Sequence, residues 1–476
     1  MSAGKDCKIF VGGQIVNMPK HIADKFKKGD KLINLPESQE IFYLSKAQVD
    51  IANEVIDKSE KAFQQMSKVT DRQMVTFFKF FADNLQNDKI WGKILEANQE
   101  DLKKARTDHK PVARLELNDK VRRKMIAGLH YWAKEKSHRN QVLHTIQRNG
   151  FVIEEMLSPY GIIAFVFESR PDVFVDACGV LKFGNTCILR IGSDAMQTVK
   201  NLMQLALKPA LKKSRLPENA VLVLEKEYEI IYALFSNKKL GLAVVRGSGR
   251  SVEILGGIAR GSGVPVSLHG QGGAWMIIDE EVDLKKVELL IYNSLDRKVC
   301  NTLNTICVLK KNAKTIIKVI LKVLEKRGQG LGHGYRLHVS KSAKVFLPHL
   351  IQADLIDEDK LGQEWEWDKV PEITIHAVDD LDSAIEFFNR QSSRFVASLI
   401  SVNKKHQAQF INTIEAPFVG NGFTRWVDGQ YVYHRPELGL SNWQEGRILG
   451  RSGILSGANL FTVKLIMRQS EKELER

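Results

Sequence analysis

The sequence predicts an α/β protein with one parallel-sheet domain, a second α/β domain and a β-hairpin arm. Three patterns carry that expectation. After Ser158, short apolar runs (GIIAFVFES, TCILRIGS, AVLVLE, LGLAVVRGS, PVSLHG) alternate with amphipathic stretches, as buried parallel strands with right-handed helical crossovers require. A second rhythm of the same kind starts at Asp279, with AWMIID before it and NTICVLK, YRLHVS, ITIHAV and FVASLIS after it. Between the first helical region and the first rhythm, HTIQRNGFVIEEMLS alternates around Asn149-Gly150, a pair suited to the positive φ angles of a two-residue hairpin turn.

Taken in order, residues 1–46 read as an N-terminal extension in which KIFVGGQIV and EIFYLS are strand-like and KHIADKFKKGDK is a solvated connection. From 47 to 143 the pattern is helical. Thr70 and Gln73 form a capping box, and Met74, Phe77, Phe78, Phe81 and Leu85 recur at helical spacing as core. Residues 47–143 and 159–267, with part of 431–456, make the first domain, and 268–430 make the second. The hairpin at 144–158 and the alternating strand within 457–468 form the arm. An isolated hairpin is unstable in water, so the arm predicts cover by another subunit and hence a homo-oligomer.

Composition bounds the function. The chain has 476 residues, 43% of them hydrophobic and 26% charged, which excludes disorder. No apolar run approaches the roughly 18 residues of a membrane span, and MSAGKDCKIFVGGQ lacks the marks of a secretory signal, so a cytoplasmic protein is expected. Five cysteines without regular spacing argue for reduced thiols. Seventy Lys and Arg against 56 Asp and Glu give a net charge of +14, attractive to phosphates, nucleotides or an acidic partner. Neither a nucleic-acid-binding signature nor a metal-ligand spacing accompanies that charge, so no nucleic acid and no metal are expected.

Several segments carry possible chemistry. Arg246-Gly247-Ser248-Gly249-Arg250 lies between a strand and a helix, where backbone N–H groups can receive phosphate. Val252 stands where a dinucleotide fingerprint wants its third glycine, so the loop reads equally as a phosphate site and as a tight turn. Cys178, Cys187 and Cys307 sit in apolar segments as core residues, and Cys7 is incidental. Cys300 differs: it precedes a strand, and the neighbouring Arg297 and Lys298 would favour its thiolate. Arg170-Pro171 suits a strand-to-helix turn, the glycine run at 328–334 a flexible loop, and His269 a turn residue.

Six segments together, ILEANQEDLKKAR, LSPYGIIAFVFESRPDV, LKFGNTCILRIGSDA, LAVVRGSGRSV, CNTLNTICV and NGFTRWVDG, resemble the gamma-glutamyl phosphate reductase (glutamate-5-semialdehyde dehydrogenase) family of the aldehyde dehydrogenase superfamily. The likeness runs from about residue 47 to 468. It implies an aldehyde dehydrogenase-like fold, with a dinucleotide-binding domain, a catalytic domain and an oligomerisation arm. It also implies NADPH-dependent reduction of an acyl phosphate to an aldehyde, with NADH as a possible substitute. Cys300 matches the nucleophile, and Asp172 the place of an oxyanion-hole residue. Arg190, Ser193, Arg246, Gly247, Ser248 and Gly249 match cofactor-binding positions; Glu168, Arg170, Asn301, Asn421 and Arg425 match substrate-binding ones.

The chain departs from the family in places. Leu268 stands where oxidative relatives carry a glutamate that activates water, as suits an enzyme that protects its thioester. Asp172 replaces a common Asn, and an ionised Asp cannot donate to an oxyanion. A shorter loop before Cys300, Trp443 in place of an acidic residue and the N-terminal extension predict an acyl group other than free gamma-glutamyl phosphate. Two other readings stay open: reduction of an acyl-CoA or carrier-protein thioester, with an acidic carrier or kinase as partner, and a non-catalytic scaffold.

Overall fold

The computed structural model describes residues 8–470, apart from positions 12, 36–37, 111, 113, 226–227, 428–431, 433, 442 and 444–453. Cys7, Asp428 and Gly429 therefore lie outside the described residues. Two compact units divide the chain. One comprises Met1–Leu268, Arg435–Gly439 and Leu455–Arg476, and the other His269–His434 and Leu440–Ile454.

The first unit begins with two antiparallel hairpins, β1 (Lys8–Val11) with β2 (Gln14–Asn17) and β3 (Lys31–Leu35) with β4 (Glu40–Leu44). Four long helices follow: α1 (Lys46–Met66), α2 (Asp71–Gln86), α3 (Asp88–Thr107) and α4 (Asp119–Lys134). Ser45 with Gln48 and Thr70 with Gln73 close capping boxes at the starts of α1 and α2. The apolar stripe of α2, including Phe77, Phe78, Phe81 and Leu85, is fully buried.

The hairpin appears at β5 (Val142–Arg148) and β6 (Phe151–Pro159), with Arg148 opposite Phe151 across the two-residue turn. Of the turn pair only Gly150 takes a positive φ, 79°; Asn149 does not, so the turn differs from the doubly left-handed one the dipeptide predicts. A C-terminal strand, Phe461–Gln469, pairs antiparallel along the whole of β6. This three-stranded sheet leaves Val142, Ile146, Val463, Leu465 and Met467 exposed.

The first unit's parallel sheet contains β7 (Ile162–Phe167), β8 (Thr186–Ile191), β9 (Val221–Val223), β10 (Leu240–Arg246) and β11 (Val266–His269), in the spatial order β11-β10-β7-β8-β9. The chain winds from β7 outward through β8 to β9, then returns to the other side of β7 with β10. The strand order thus reverses between β7 and β10, and such sheets bind ligands beyond the carboxyl ends of the strands at that point. Three helices serve the site: α5 (Asp172–Ala177) after β7, α6 (Tyr228–Phe235) before β10 and α7 (Gly249–Gly261) after it. The buried Asn185 side chain ties the sheet to its surroundings, accepting from Gly161 N–H at 3.0 Å and donating to the Leu460 carbonyl at 2.9 Å.

The N-terminal segment belongs to this packing. Leu35 and Leu44 enter the sheet's core cluster, Phe42 meets Tyr232 of α6 edge-on at 4.9 Å, and Glu40 pairs with Arg250 of α7 at 2.5 Å. A Cβ on Gly257 would lie 2.9 Å from Leu35, so that glycine lets the hairpin close onto α7.

The second unit carries a seven-stranded all-parallel sheet in the order β15-β14-β16-β13-β12-β17-β18. Its strands are β12 (Ala274–Ile278), β13 (Leu303–Leu309), β14 (Arg336–Val339), β15 (Asp354–Leu355), β16 (Glu372–Val378), β17 (Val396–Ile400) and β18 (Phe418–Gly420). Helices α8 (Leu284–Ser294) and α9 (Ala313–Gly330) pack on it with apolar stripes. The glycine run after α9 is not all loop. Gly328 and Gly330 continue the helix, and a Cβ on Gly328 would meet the Gly334 carbonyl oxygen at 2.5 Å, so glycine is required by close backbone approach.

Candidate active site

In the first unit, the turn after β7 and the loops after β8 and β10 lie at the reversal of strand order. The buried Arg246 turns its guanidinium to Glu168, 3.7 Å away, donates to the Leu438 carbonyl at 3.3 Å, and lies over the Phe167 ring. Ser248 caps α7 by accepting from Ser251 N–H. A Cβ on Gly249 would meet nothing within 4 Å, and one on Gly247 only an ordinary contact. These two glycines therefore leave open backbone, the condition for a ligand to approach the N–H groups of a helix start.

The β8 loop packs on the β7 turn. Gly192 lies so close to Ser169 that no side chain fits, the Ser169 hydroxyl donates to Asp194 at 3.3 Å, and Lys110 holds Asp194 at 2.6 Å. Ser193 opens the short 3₁₀ turn at this contact. Arg190, at the end of β8, places its guanidinium over the Tyr228 ring at 4.6 Å and has no ion pair among the described residues.

Past β7 the chain enters α5 through Arg170-Pro171. Arg170 donates both Nη2 and Nε to the Asp172 carboxylate, at 2.8 and 3.3 Å, and Lys124 of α4 stands 3.7 Å from the same group. Burial alone would raise the pKa of Asp172, but Arg170 together with Lys124 and Arg246 holds the carboxyl below its usual range. Asp172 is thus an acceptor committed to Arg170. One turn on, Asp176 is as buried, with 7% of its surface exposed, yet makes no hydrogen bond or ion pair with the described residues. Burial pushes its pKa up to about 7.

The second unit presents Cys300 in the turn before β13. Its carbonyl accepts from Gly273 N–H at 2.8 Å, and Ala274 N–H bonds the Thr302 carbonyl at 3.0 Å, so the glycine turn of SLHGQGG backs the cysteine directly. A Cβ on Gly272 would fall 2.7 Å from the Cys300 Cα and 2.8 Å from Glu364 Oε1. The Thr302 hydroxyl ties the turn from within, accepting from Val299 N–H at 2.9 Å and donating to the Arg297 carbonyl at 2.7 Å. Cys300 is half-buried, whereas Cys178, Cys187 and Cys307 are fully buried, and burial drives each of those thiols up in pKa.

The structure corrects one part of the sequence argument for Cys300. Lys298 is not a free cation beside the thiol: its ammonium is nearly buried against Glu364, with Glu366 3.6 Å away. Glu364 also accepts Gly272 N–H at 2.5 Å. The arrangement makes Lys298 and Glu364 a clamp on the cysteine turn. Spacing along the chain gave no sign of Glu364, 64 residues beyond Cys300, because the contact is made by the sheet.

Asn301 and Arg425 meet directly. The Asn301 amide donates to the Val427 carbonyl and accepts from Arg425, which also donates to Asp296 at 2.7 Å. Asn421 is exposed and makes no side-chain hydrogen bond with the described residues, so it stands apart from this group. His269 is tied to the Leu440 carbonyl and set edge-on to Phe395, which fits a turn residue. Leu268 packs on α7, where a Cβ on Gly256 would lie 2.5 Å from it, and offers no base.

Among families of known proteins, the aldehyde dehydrogenase family model matches residues 26–340. A gamma-glutamyl phosphate reductase of a Thermotoga species (strain RQ2) is 30% identical, over 82% of this chain and 92% of that relative. The chain belongs to the aldehyde dehydrogenase family, in its gamma-glutamyl phosphate reductase branch. The crystal structure of the gamma-glutamyl phosphate reductase of Thermotoga maritima superposes with a TM-score of 0.79 at 28% identity, covering 89% of this chain and all of that one. A propionaldehyde dehydrogenase of Rhodopseudomonas palustris, solved with propionyl-CoA, shares the fold at 16% identity, with a TM-score of 0.59 over 88% of this chain and 94% of that one. Aldehyde dehydrogenase-family members are oxidoreductases, and the family match begins inside the N-terminal segment that the sequence sets apart.

Removing one partner of a nearly buried ion pair leaves the other uncompensated. Glu364→Ala is therefore expected to cost about 3 kcal/mol of stability by urea unfolding, with Glu364→Gln costing less because it still accepts Gly272 N–H. A loss under about 1 kcal/mol for Glu364→Ala would reduce the clamp to a surface contact.

Proposed function

We propose that this chain reduces an acyl phosphate of the gamma-glutamyl phosphate type to its aldehyde with NADPH, through a thioester on Cys300. The observation that supports it most is the setting of Cys300, a half-buried thiol braced by the Gly272-Gly273 turn, with a leucine at 268. The thiolate attacks the acyl carbon, the carbon–oxygen bond to phosphate breaks, and phosphate leaves. The nicotinamide, when bound, supplies hydride to the thioester carbonyl. The resulting thiohemiacetal collapses to aldehyde and free thiol. Leu268 contributes by withholding a base, so that water does not compete for the thioester.

The residues of the first unit suit a dinucleotide. Gly247, Ser248 and Gly249 offer open backbone at the start of α7 for a pyrophosphate, Ser193 lines the neighbouring loop, and Arg246 with Glu168 fixes the end of β10. Arg190, backed by Tyr228 and without an ion pair among the described residues, is a cation available to a 2′-phosphate, which favours NADPH over NADH. Arg170 serves the substrate's anionic groups. Asp172 acts as its positioning residue and not as an oxyanion donor. Asn301 and Arg425 shape the wall of the cysteine turn, and Asn421 has the weakest support of the substrate residues. The acyl-CoA, carrier-protein and scaffold readings are not favoured, because the relatives matched at about 30% identity are named for an acyl phosphate and the CoA-bound neighbour shares the fold alone. No described helix is long and apolar enough to cross a membrane, and the buried free thiols suit a reducing, cytoplasmic setting.

NADPH oxidation is expected with gamma-glutamyl phosphate made in situ and not with a panel of acyl-CoAs; activity with the CoAs alone would overturn the reading. Cys300→Ala and Cys300→Ser should fall below about a tenth of the wild-type rate, equivalent to at least about 1.4 kcal/mol of transition-state stabilisation. Arg190→Ala should raise KM for NADPH about tenfold and leave NADH use unchanged, as loss of one charged contact to the 2′-phosphate requires.

The exposed apolar row of the arm sheet suits a second copy of the chain, covering strand edges that water would otherwise leave open to misassembly. Light scattering should give at least twice the 53.9 kDa chain mass at micromolar concentration, and a monomer would refute the assignment.

A further inference from the structure

The reaction above leaves unused a cavity of about 970 Å³ in the first unit, at the other end of the sheet from the loops that suit a dinucleotide. Those loops follow the carboxyl ends of β8 and β10, whereas residues 215–218, which border the cavity, lead into the amino end of the parallel strand β9. A long helix joins the two ends. It starts at Met196, directly after the Ser193 turn, and stops at Ser214, about 28 Å away at 1.5 Å per residue. Four cations line the cavity, Lys68 after α1, Lys208 and Lys212 on the long helix and Arg215 at its end, against the single carboxylate of Glu218. None of the four has an ion pair or a side-chain hydrogen bond among the described residues. Val69, Leu211 and Leu216 give it a buried apolar floor. The Gln73 amide, whose oxygen closes the capping box of α2, donates from its nitrogen to the carbonyls of Ser214 and Arg215 at 3.2 and 3.3 Å and so ties the two walls together. The long helix contains a turn of π helix, Leu202–Leu207, a form frequent at functional sites. It ends on Arg215 at a φ of 58°, a left-handed position that usually goes to glycine. An arginine retained there is strained, and its side chain is then what the position supplies.

We propose that this cavity binds a ligand carrying a chain of two or more phosphate groups, at a site separate from the one that reduces the acyl phosphate. Its volume lies at the upper end of the range of small-molecule sites, well above what one orthophosphate fills. Lysine ammonium groups act as point charges on phosphate oxygens, and the Arg215 guanidinium can take two oxygens at once. Four such cations against one carboxylate suit several negative charges held close together, and the apolar floor strengthens each contact by keeping water from one side. Gln65 and Gln204 add exposed amides at the rim that suit a ribose or a base. A nucleoside polyphosphate and a free oligophosphate therefore share the chemistry this site recognises. Part of the chain's net charge of +14, which the sequence relates to phosphates without locating it, is given a place in the fold.

Isothermal titration calorimetry of the full chain with metal-free tripolyphosphate, ATP and citrate, at about 0.1 M salt so that charge is not fully screened, tests the assignment. Tripolyphosphate is expected to bind with a Kd below about 1 mM, and Lys212→Ala and Arg215→Gly should each weaken it about tenfold, the size of one charge-assisted contact. Glycine suits the left-handed position, so Arg215→Gly should melt no lower than wild type, and its loss of binding is then not a loss of fold. Arg190→Ala, which removes the cation at the end of β8, should bind tripolyphosphate as wild type does. ATP bound more tightly than tripolyphosphate identifies a nucleotide as the natural source, and ATP bound equally or less tightly identifies a free oligophosphate. Four results would each overturn the assignment: no binding up to about 1 mM, equal affinity in wild type and both cavity variants, a loss in Arg190→Ala instead, or citrate bound more tightly than tripolyphosphate. None of them bears on the reaction at Cys300.

Discussion

The close approach of the Gly272-Gly273 turn to the backbone of Cys300 is the constraint on which the catalytic unit depends. No side chain fits at 272, because the Cys300 backbone and Glu364 occupy its space. Gly273, at a φ of 95°, aims its N–H at the cysteine carbonyl. A nucleophile held by main-chain contacts loses little freedom when substrate binds, which is how a turn at the edge of a parallel sheet can fix reacting atoms. Lys298 and Glu364 extend this brace to the segment before β16. The same pair means that Lys298 is not a free cation.

The first unit is organised around a different constraint, the reversal of strand order between β7 and β10. Charge is concentrated there and mostly self-compensated. Arg246 is met by Glu168, Arg170 by Asp172, and Lys110 by Asp194. Against that background Arg190, lying over the Tyr228 ring, and the buried Asp176 make no ion pair with the described residues. One is a cation at the end of β8, the other an anion on α5.

The fold was largely legible in the sequence because parallel strands buried on both faces leave continuous apolar runs, and capping boxes such as Thr70 with Gln73 mark helix starts locally. The apolar setting of Cys178, Cys187 and Cys307 was legible for the same reason. What escaped sequence reasoning was set by tertiary contact. Lys298 read as a free cation because its partner Glu364 is brought to it only by the sheet. Asn301 read as a substrate contact, although Arg425 and Val427 take up its amide. Asp176 went unnoticed within FVDACGV because one acidic residue on a short helix ordinarily faces water, and only burial shows that this one does not. Gly328 and Asn149 failed in the smaller way of local backbone geometry, one helical where a loop was expected and one without the positive φ its dipeptide allows.

The central claim is that Cys300 carries the acyl group between phosphate and hydride. Mass spectrometry of enzyme incubated with glutamate-5-semialdehyde and NADP⁺, phosphate omitted, tests it most directly. The account predicts one added acyl group on the peptide containing Cys300, discharged when phosphate is supplied and absent from Cys300→Ala. Turnover without that adduct, or an adduct on another residue, would contradict it.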